Sequence, residues 1–165
     1  RQALEIAPGL GRTFAFQRWP DFDAALWDRQ QEEAHEQQRS AVSVPIVGSD
    51  RDGAVVQQAQ SNAERAGVAE YVTLQQTALL DMTPPADHGI IICNPPYGER
   101  IGTVEMLTPF YKQLGDVLKQ RCQGWTAYVL CGNMTLAKHI GLRASRRIPV
   151  LNGGIDCRLL RYELY

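Results

Sequence analysis

The segment HGIIICNPPYGER, His88 to Arg100, restricts the fold more than any other stretch of the chain. Gly89 to Cys93 is a short run of apolar and small residues, the pattern of a strand buried in a sheet. Asn94 then leads into Pro95 and Pro96, neither of which can donate a ladder hydrogen bond. The strand must stop there, and the aromatic Tyr97 and Gly98 that follow are held on a stiff support. A strand built in this way implies flanking layers that bury it.

The flanks supply those layers. VPIVGSD, Val44 to Asp50, is a second apolar run, read as a parallel strand buried on both faces. Asp52 is placed to cap a helix that carries Val55, Val56, Ala59 and Ala63 on one side and ends at Gly67. YVTLQQT, Tyr71 to Thr77, predicts a further strand. After the proline turn a long helix is predicted over about residues 103–122, with Leu107, Tyr111, Leu114 and Leu118 forming one stripe at helical spacing. TAYVLCG predicts the next strand and MTLAKHIG a short helix. RRIPVLNGGIDCRLLRYELY predicts two strands joined around Asn152-Gly153-Gly154, because Asn-Gly is a strong hairpin signal. Upstream, RQALEIAPG reads as the last turns of a helix, and the aromatic-rich Arg12 to Asp23 leads into a polar helix anchored by Leu26 and Trp27. Alternating strands and helices with a terminal hairpin predict an α/β, doubly wound, Rossmann-like sheet with an antiparallel edge.

Composition excludes several functional classes. The chain has 165 residues, 44% of them hydrophobic, and a formal net charge of -1, so bulk charge does not call for nucleic acid and any basic surface must be local. Cys93, Cys122, Cys131 and Cys157 form no CxxC pair, and the three histidines are scattered, which predicts reduced thiols and no metal site. No run reaches the roughly 18 apolar residues of a membrane span. The expectation is a cytoplasmic protein without a membrane partner.

In an open α/β sheet ligands lie outside the carboxyl ends of the strands, and two motifs fall there. Asp50 ends the VPIVGSD strand, where a carboxylate can accept both ribose hydroxyls of an adenosine-containing cofactor; a helix-capping role for Asp50 or Asp52 accounts for it equally well. Asn94 can donate and accept, and the Pro95 carbonyl loses its ladder partner because Pro96 follows. Two acceptors held rigidly together can bind the two hydrogens of an NH2 group. Its lone pair is delocalised, so fixing the group's geometry can turn that pair toward an incoming methyl carbon without a strong base. Tyr97 offers a face for a base turned out of its helix, a role in which the hydroxyl is dispensable. An ordinary Pro-Pro-Tyr-Gly surface turn is the competing account.

Asn94-Pro95-Pro96-Tyr97 resembles the amino-methyltransferase motif of S-adenosylmethionine-dependent enzymes, and Asp50 stands where that class keeps its ribose-binding acid. APGLGRTFAFQRWPDFDAALW, SDRDGAVVQQAQSNAERAGV, NPPYGERIG and NGGIDCRLLRYEL extend the likeness over nearly the whole chain. Together they resemble the catalytic domain of bacterial ribosomal-RNA guanine-N2 methyltransferases of the RlmL type, which in longer members follows a THUMP RNA-binding domain. The resemblance implies a class I methyltransferase sheet, S-adenosylmethionine as cofactor and large-subunit ribosomal RNA as partner. It implies that Asn94, Pro95, Pro96 and Tyr97 hold the target base, and that Asp50, Arg51, Gln76 and Thr77 hold the cofactor. NPPY is shared with enzymes acting on DNA adenine and protein glutamine, which are the alternatives, together with a truncated RNA-binding domain without turnover.

Two positions depart from the family pattern. Where the family has an acid after its third strand, this chain offers Gln76, an uncharged acceptor. The glycine-rich cofactor loop, of the form D-P-x-C-G-S-G, and the strand before it have no counterpart from Arg1 onward. Residues 1–165 are therefore expected to be the C-terminal portion of a single catalytic domain whose central strand lies upstream. Cys93 is expected to be a small buried hydrophobe. Arg143, Arg146 and Arg147 are expected in a solvated turn rather than on RNA phosphates, and Arg12 and Arg18 are as well placed for packing among aromatics as for stacking on bases.

Overall fold

The computed structural model describes residues 1–98 and 102–165; Glu99, Arg100 and Ile101, which belong to the NPPYGERIG stretch, lie outside the described residues. The chain divides into two compact units, Arg1–Gln76 and Thr77–Tyr165.

In the first unit the expected helix end at the start of the chain is a single 3-10 turn, Gln2–Leu4. A second 3-10 turn, Ala15–Arg18, precedes helix α1, Ala24–Glu36, whose first turn is closed by Asp23 accepting from the Leu26 amide at 2.9 Å. The aromatic residues here pack on one another: the Phe16 ring lies edge-on to Trp27 at 5.2 Å and stacks with Phe14 at 5.5 Å, and the Arg12 guanidinium lies 5.7 Å over Phe14. Strand β1, Val47–Asp50, pairs in parallel with β2, Thr73–Gln76, and between them runs α2, Gly53–Arg65. Asp52 caps α2 as predicted, accepting from the Ala54 amide at 2.9 Å. Gly67 at φ 66° ends the helix in the left-handed region that glycine enters without strain.

Both strands are shorter than the sequence suggested, and β1 is not buried on both faces: its residues alternate between exposed and half-buried. The apolar run signals what these residues prefer, but the unit's buried core is small, formed by Leu4, Ala63 and Val68. Of the four apolar residues expected on one side of α2, Ala63 is buried, whereas Val55 is 48% exposed.

The second unit holds a four-stranded sheet in the order β3-β4-β6-β5: Gly89–Cys93, Trp125–Cys131, Ile155–Glu163 and Arg146–Asn152. Strands β3 and β4 are parallel, and β6 is antiparallel to β4 and to β5, so the predicted terminal hairpin forms the antiparallel edge. Helix α3, Val104–Arg121, is capped by Thr103 and buries the predicted stripe of Leu107, Tyr111, Leu114 and Leu118. These pack with Ala127, Val129, Leu160 and Tyr162 of the sheet and with Leu136 and Ala137 of α4, Met134–Lys138.

Strands β1 and β2 form one sheet and β3 to β6 another, and among the described residues no ladder joins β1 to β3, in keeping with the expectation that the central strand lies upstream. Two features differ from expectation. The GIIIC strand buries only one face. Ile91 and Cys93 pack on the core, while Ile90 and Ile92 are 66% and 76% exposed. An apolar run on both faces calls for cover on both, and helices α3 and α4 meet only the face that carries Ile91. Arg146 and Arg147 stand exposed on β5 rather than in a turn, and Arg143 is exposed just before it.

Candidate functional site

The first unit brings two of the expected cofactor residues side by side. The parallel register pairs Asp50 with Gln76, so their side chains sit at adjacent carboxyl ends of β1 and β2. The capping duty that competed for Asp50 falls to Asp52. One Asp50 oxygen accepts from the Asp52 amide at 2.8 Å, and among the described residues the other has no hydrogen-bond donor. Gln76 donates through Nε2 to the Arg51 carbonyl at 3.0 Å, which leaves its Oε1 as an acceptor. That oxygen would lie 2.9 Å from a Cβ at Gly53, so a glycine at the first position of α2 gives the glutamine its place across the loop. Arg51 thus contributes a backbone carbonyl that orients Gln76, a role its side-chain chemistry does not suggest. Thr77, half-buried, is the first residue of the other unit. The donor set fits an adenosine: a carboxylate with a free oxygen suits ribose hydroxyls, and a neutral amide oxygen suits an exocyclic amine.

A surface depression lined by Val44, Ile46, Tyr71 and Thr73 opens at the opposite, amino end of these strands and contains none of the motif residues.

In the second unit the proline turn begins immediately beyond β3. Asn94 is exposed, Pro95 is buried, and Pro96 and Tyr97 are half-buried. The buried proline fixes the turn. The Asn94 amide makes no hydrogen bond to another described residue and stands available at the carboxyl end of the strand. Tyr97 is held differently. Its ring lies against the backbone of Gly132, just after β4, where an added Cβ would come within 2.8 Å of two ring carbons. Its hydroxyl accepts from Asn152 Nδ2 at 2.9 Å and from the Cys157 thiol at 3.8 Å.

Gly132, Asn152 and Cys157 are absent from the site residues expected from sequence. Gly132 reads only as the end of a strand, and the Asn152 signal is absorbed by the hairpin it announces. Their meeting with Tyr97 depends on strand order, which no local pattern carries.

Burial, and then the neighbouring Cys131, push the Cys93 thiol up to about 11. At neutral pH it is a protonated, unreactive thiol, in line with its reading as a small hydrophobe. Burial, and then the hydrogen bond with Cys131 at 3.4 Å, raise the Tyr111 hydroxyl well above its usual range. Among the described residues no group of three or more His, Cys, Asp or Glu is arranged to hold a metal ion, and no helix is long and apolar enough to cross a membrane.

Comparison with known proteins gives a consistent result. The family model described as the RMKL-like methyltransferase domain matches residues 2–161. A Synechocystis protein named as a candidate RNA methyltransferase is 51% identical over 99% of this chain, which covers 43% of that protein. The ribosomal RNA large subunit methyltransferase K/L of Legionella pneumophila strain Paris is 42% identical over 95% of this chain and is covered over 22% of its own length. Among solved structures, a candidate methyltransferase complexed with SAH superposes with a TM-score of 0.91 at 31% identity, over 98% of this chain and 43% of the other. The chain therefore spans less than half the length of these relatives.

Proposed function

Because the chain belongs to the RMKL-like methyltransferase domain family, with a class I methyltransferase α/β architecture, we propose that it carries part of the catalytic domain of an S-adenosylmethionine-dependent enzyme. Its substrate in this reading is large-subunit ribosomal RNA, and the acceptor is the exocyclic N2 amine of a guanine. The observation that carries the proposal is the exposed Asn94 amide, without a hydrogen bond to another described residue, on a turn fixed by a buried proline at the end of β3. S-adenosylmethionine, when bound, supplies an electrophilic methyl group.

The chain's own residues do the rest by position. Asn94 and the Pro95 carbonyl accept the two amine hydrogens and turn the nitrogen lone pair to the open side of the group. Tyr97 covers a face of the base and keeps water from it. Asp50 takes the ribose hydroxyls, and Gln76, through Oε1, takes the adenine amine. No strong base is required: as the N–C bond forms, the C–S bond would break with its electron pair returning to sulfur in the departing thioether, and the nitrogen, cationic once methylated, would release its proton to water.

The test is methyl transfer from labelled S-adenosylmethionine by the complete protein, offered large-subunit ribosomal RNA, DNA and protein in parallel. Label recovered as N2-methylguanosine is the expected result. Label in DNA adenine or protein glutamine would reassign the substrate, and RNA binding without transfer would reduce the domain to a binding module.

We further propose that residues 1–165 are the C-terminal portion of one catalytic domain, and that in the complete protein this domain follows a THUMP-type RNA-binding domain. Two features support the first part: among the described residues β1 pairs only with β2 and β3 only with β4, and the relatives are much longer. Unpaired strand edges invite association, and each unsatisfied buried backbone group costs about 1–3 kcal/mol. Expressed alone, the chain should self-associate and bind S-adenosylmethionine weakly. An extended chain with the upstream strand and glycine-rich loop should be monomeric and bind it well. Sedimentation and cofactor titration of the two side by side decide the matter, and a monomeric short chain with micromolar affinity would refute the assignment.

A further inference from the structure

We infer that Asn152, at the tip of the β5–β6 hairpin, is a positioning residue that sets the orientation of Tyr97; the inference rests on the base-binding reading of the site given above. Asn152 lies 55 residues from Tyr97 in sequence and donates from Nδ2 to its hydroxyl oxygen at 2.9 Å. The Cys157 thiol reaches the same oxygen at 3.8 Å, and the ring rests on the Gly132 backbone. The tyrosine is thus gripped at its hydroxyl by one hairpin and along its ring by the end of β4.

The hairpin itself does not need the asparagine. Asn152 is the last residue of β5, paired with Ile155, and the turn between them consists of Gly153, at φ 63°, and Gly154. Glycine meets the left-handed requirement, so the asparagine amide is free to hold the tyrosine. A stacking ring that can tilt presents its face to the base only part of the time. Fixing the hydroxyl removes that freedom before the base arrives, and preorganisation of this kind raises the rate of transfer. The hydroxyl therefore matters, contrary to the expectation from sequence that only the ring face does.

The experiment compares the parent, Asn152→Ala, Tyr97→Phe and the double variant in the complete protein, by single-turnover methyl transfer to large-subunit ribosomal RNA. Each single change should lower kcat/KM on the order of tenfold, the scale of a modest misplacement of a reacting group. The double variant should be no worse than the poorer single, since both changes remove the same hydrogen bond. Cofactor affinity and the thermal midpoint should not move. Ring-flip rates of Tyr97, read by NMR on ring-labelled protein, should rise in Asn152→Ala. Strictly additive losses, unaltered kinetics in Asn152→Ala, or an unaltered flip rate would each overturn the inference. A parent protein that transfers no methyl to RNA would instead overturn the reading of the site; the flip rates then still decide whether the hairpin holds the tyrosine.

Discussion

Replacement of Asn94 by alanine in the complete protein is expected to lower methyl transfer by about a hundredfold or more, the scale on which a preorganised polar contact acts in a transition state. The amine that receives the methyl group is a poor nucleophile because its lone pair is spread into the ring. What the enzyme can contribute is geometry, and the Asn94 amide is an exposed polar group at the carboxyl end of β3. It is exposed and makes no hydrogen bond to another described residue, so its loss breaks no hydrogen bond among the described residues. The variant should keep the parent's thermal midpoint. Cofactor affinity should also hold, because Asp50 and Gln76, which we propose bind it, belong to the other compact unit. Single-turnover transfer and calorimetry with S-adenosylmethionine separate the two effects. Undiminished transfer in Asn94→Ala would reduce the Asn-Pro-Pro-Tyr segment to a surface turn.

The largest expected effect on stability belongs to Gly115, in the middle of α3. A Cβ there would lie 1.8 Å from the carbonyl oxygen of Ile140 and 2.7 Å from its carbon, and both are backbone atoms of a fully buried residue. Two terms compete in Gly115→Ala. Helix propensity favours alanine by about 1 kcal/mol. Overpacking costs about 1–3 kcal/mol in ordinary cores, and more where no side chain can swing aside. The helix would have to retreat by roughly 1.5 Å to restore normal contact, which would disturb the whole Leu107, Tyr111, Leu114 and Leu118 stripe. Steric cost wins, and a net loss of about 2 kcal/mol or more is expected. Gly154→Ala is the control: nothing lies within 4 Å of a Cβ added there, and the change should stay within about 1 kcal/mol of the parent. Chemical denaturation of both variants measures the difference. Equal midpoints would mean that α3 is not seated as closely on Ile140 as the structure has it.

Much of the local structure is legible in the residues themselves. Asp52 caps its helix where the sequence placed it, α3 begins close to residue 103 as expected and buries its four-residue stripe, and Gly89–Cys93 ends at the prolines. Each of these follows from interactions within a few positions along the chain: a side-chain oxygen reaching the next free amide, a repeat of 3.6 residues, a missing N–H. The residues proposed for the base and the cofactor were likewise visible, because strand ends and proline turns are local features and the ligand face of an α/β sheet is a general rule.

The sequence by itself determined the order of most strands and helices, the stop of β3 at the proline turn, and which side chains stand at the carboxyl ends of β1, β2 and β3. Only the tertiary structure decided what those side chains touch. Val44 to Asp50 and Gly89 to Cys93 both read as buried strands, yet β1 alternates between exposed and half-buried and Ile90 and Ile92 are exposed, because apolarity states a preference and cannot supply the layer that would satisfy it. Asp50 and Gln76 become neighbours through the register of β1 and β2, and the Tyr97 hydroxyl finds Asn152 because β6 lies between β4 and β5. Register and strand order are set by the sum of many packing contacts between segments far apart in sequence, and a sum of that kind leaves no signature at any one residue.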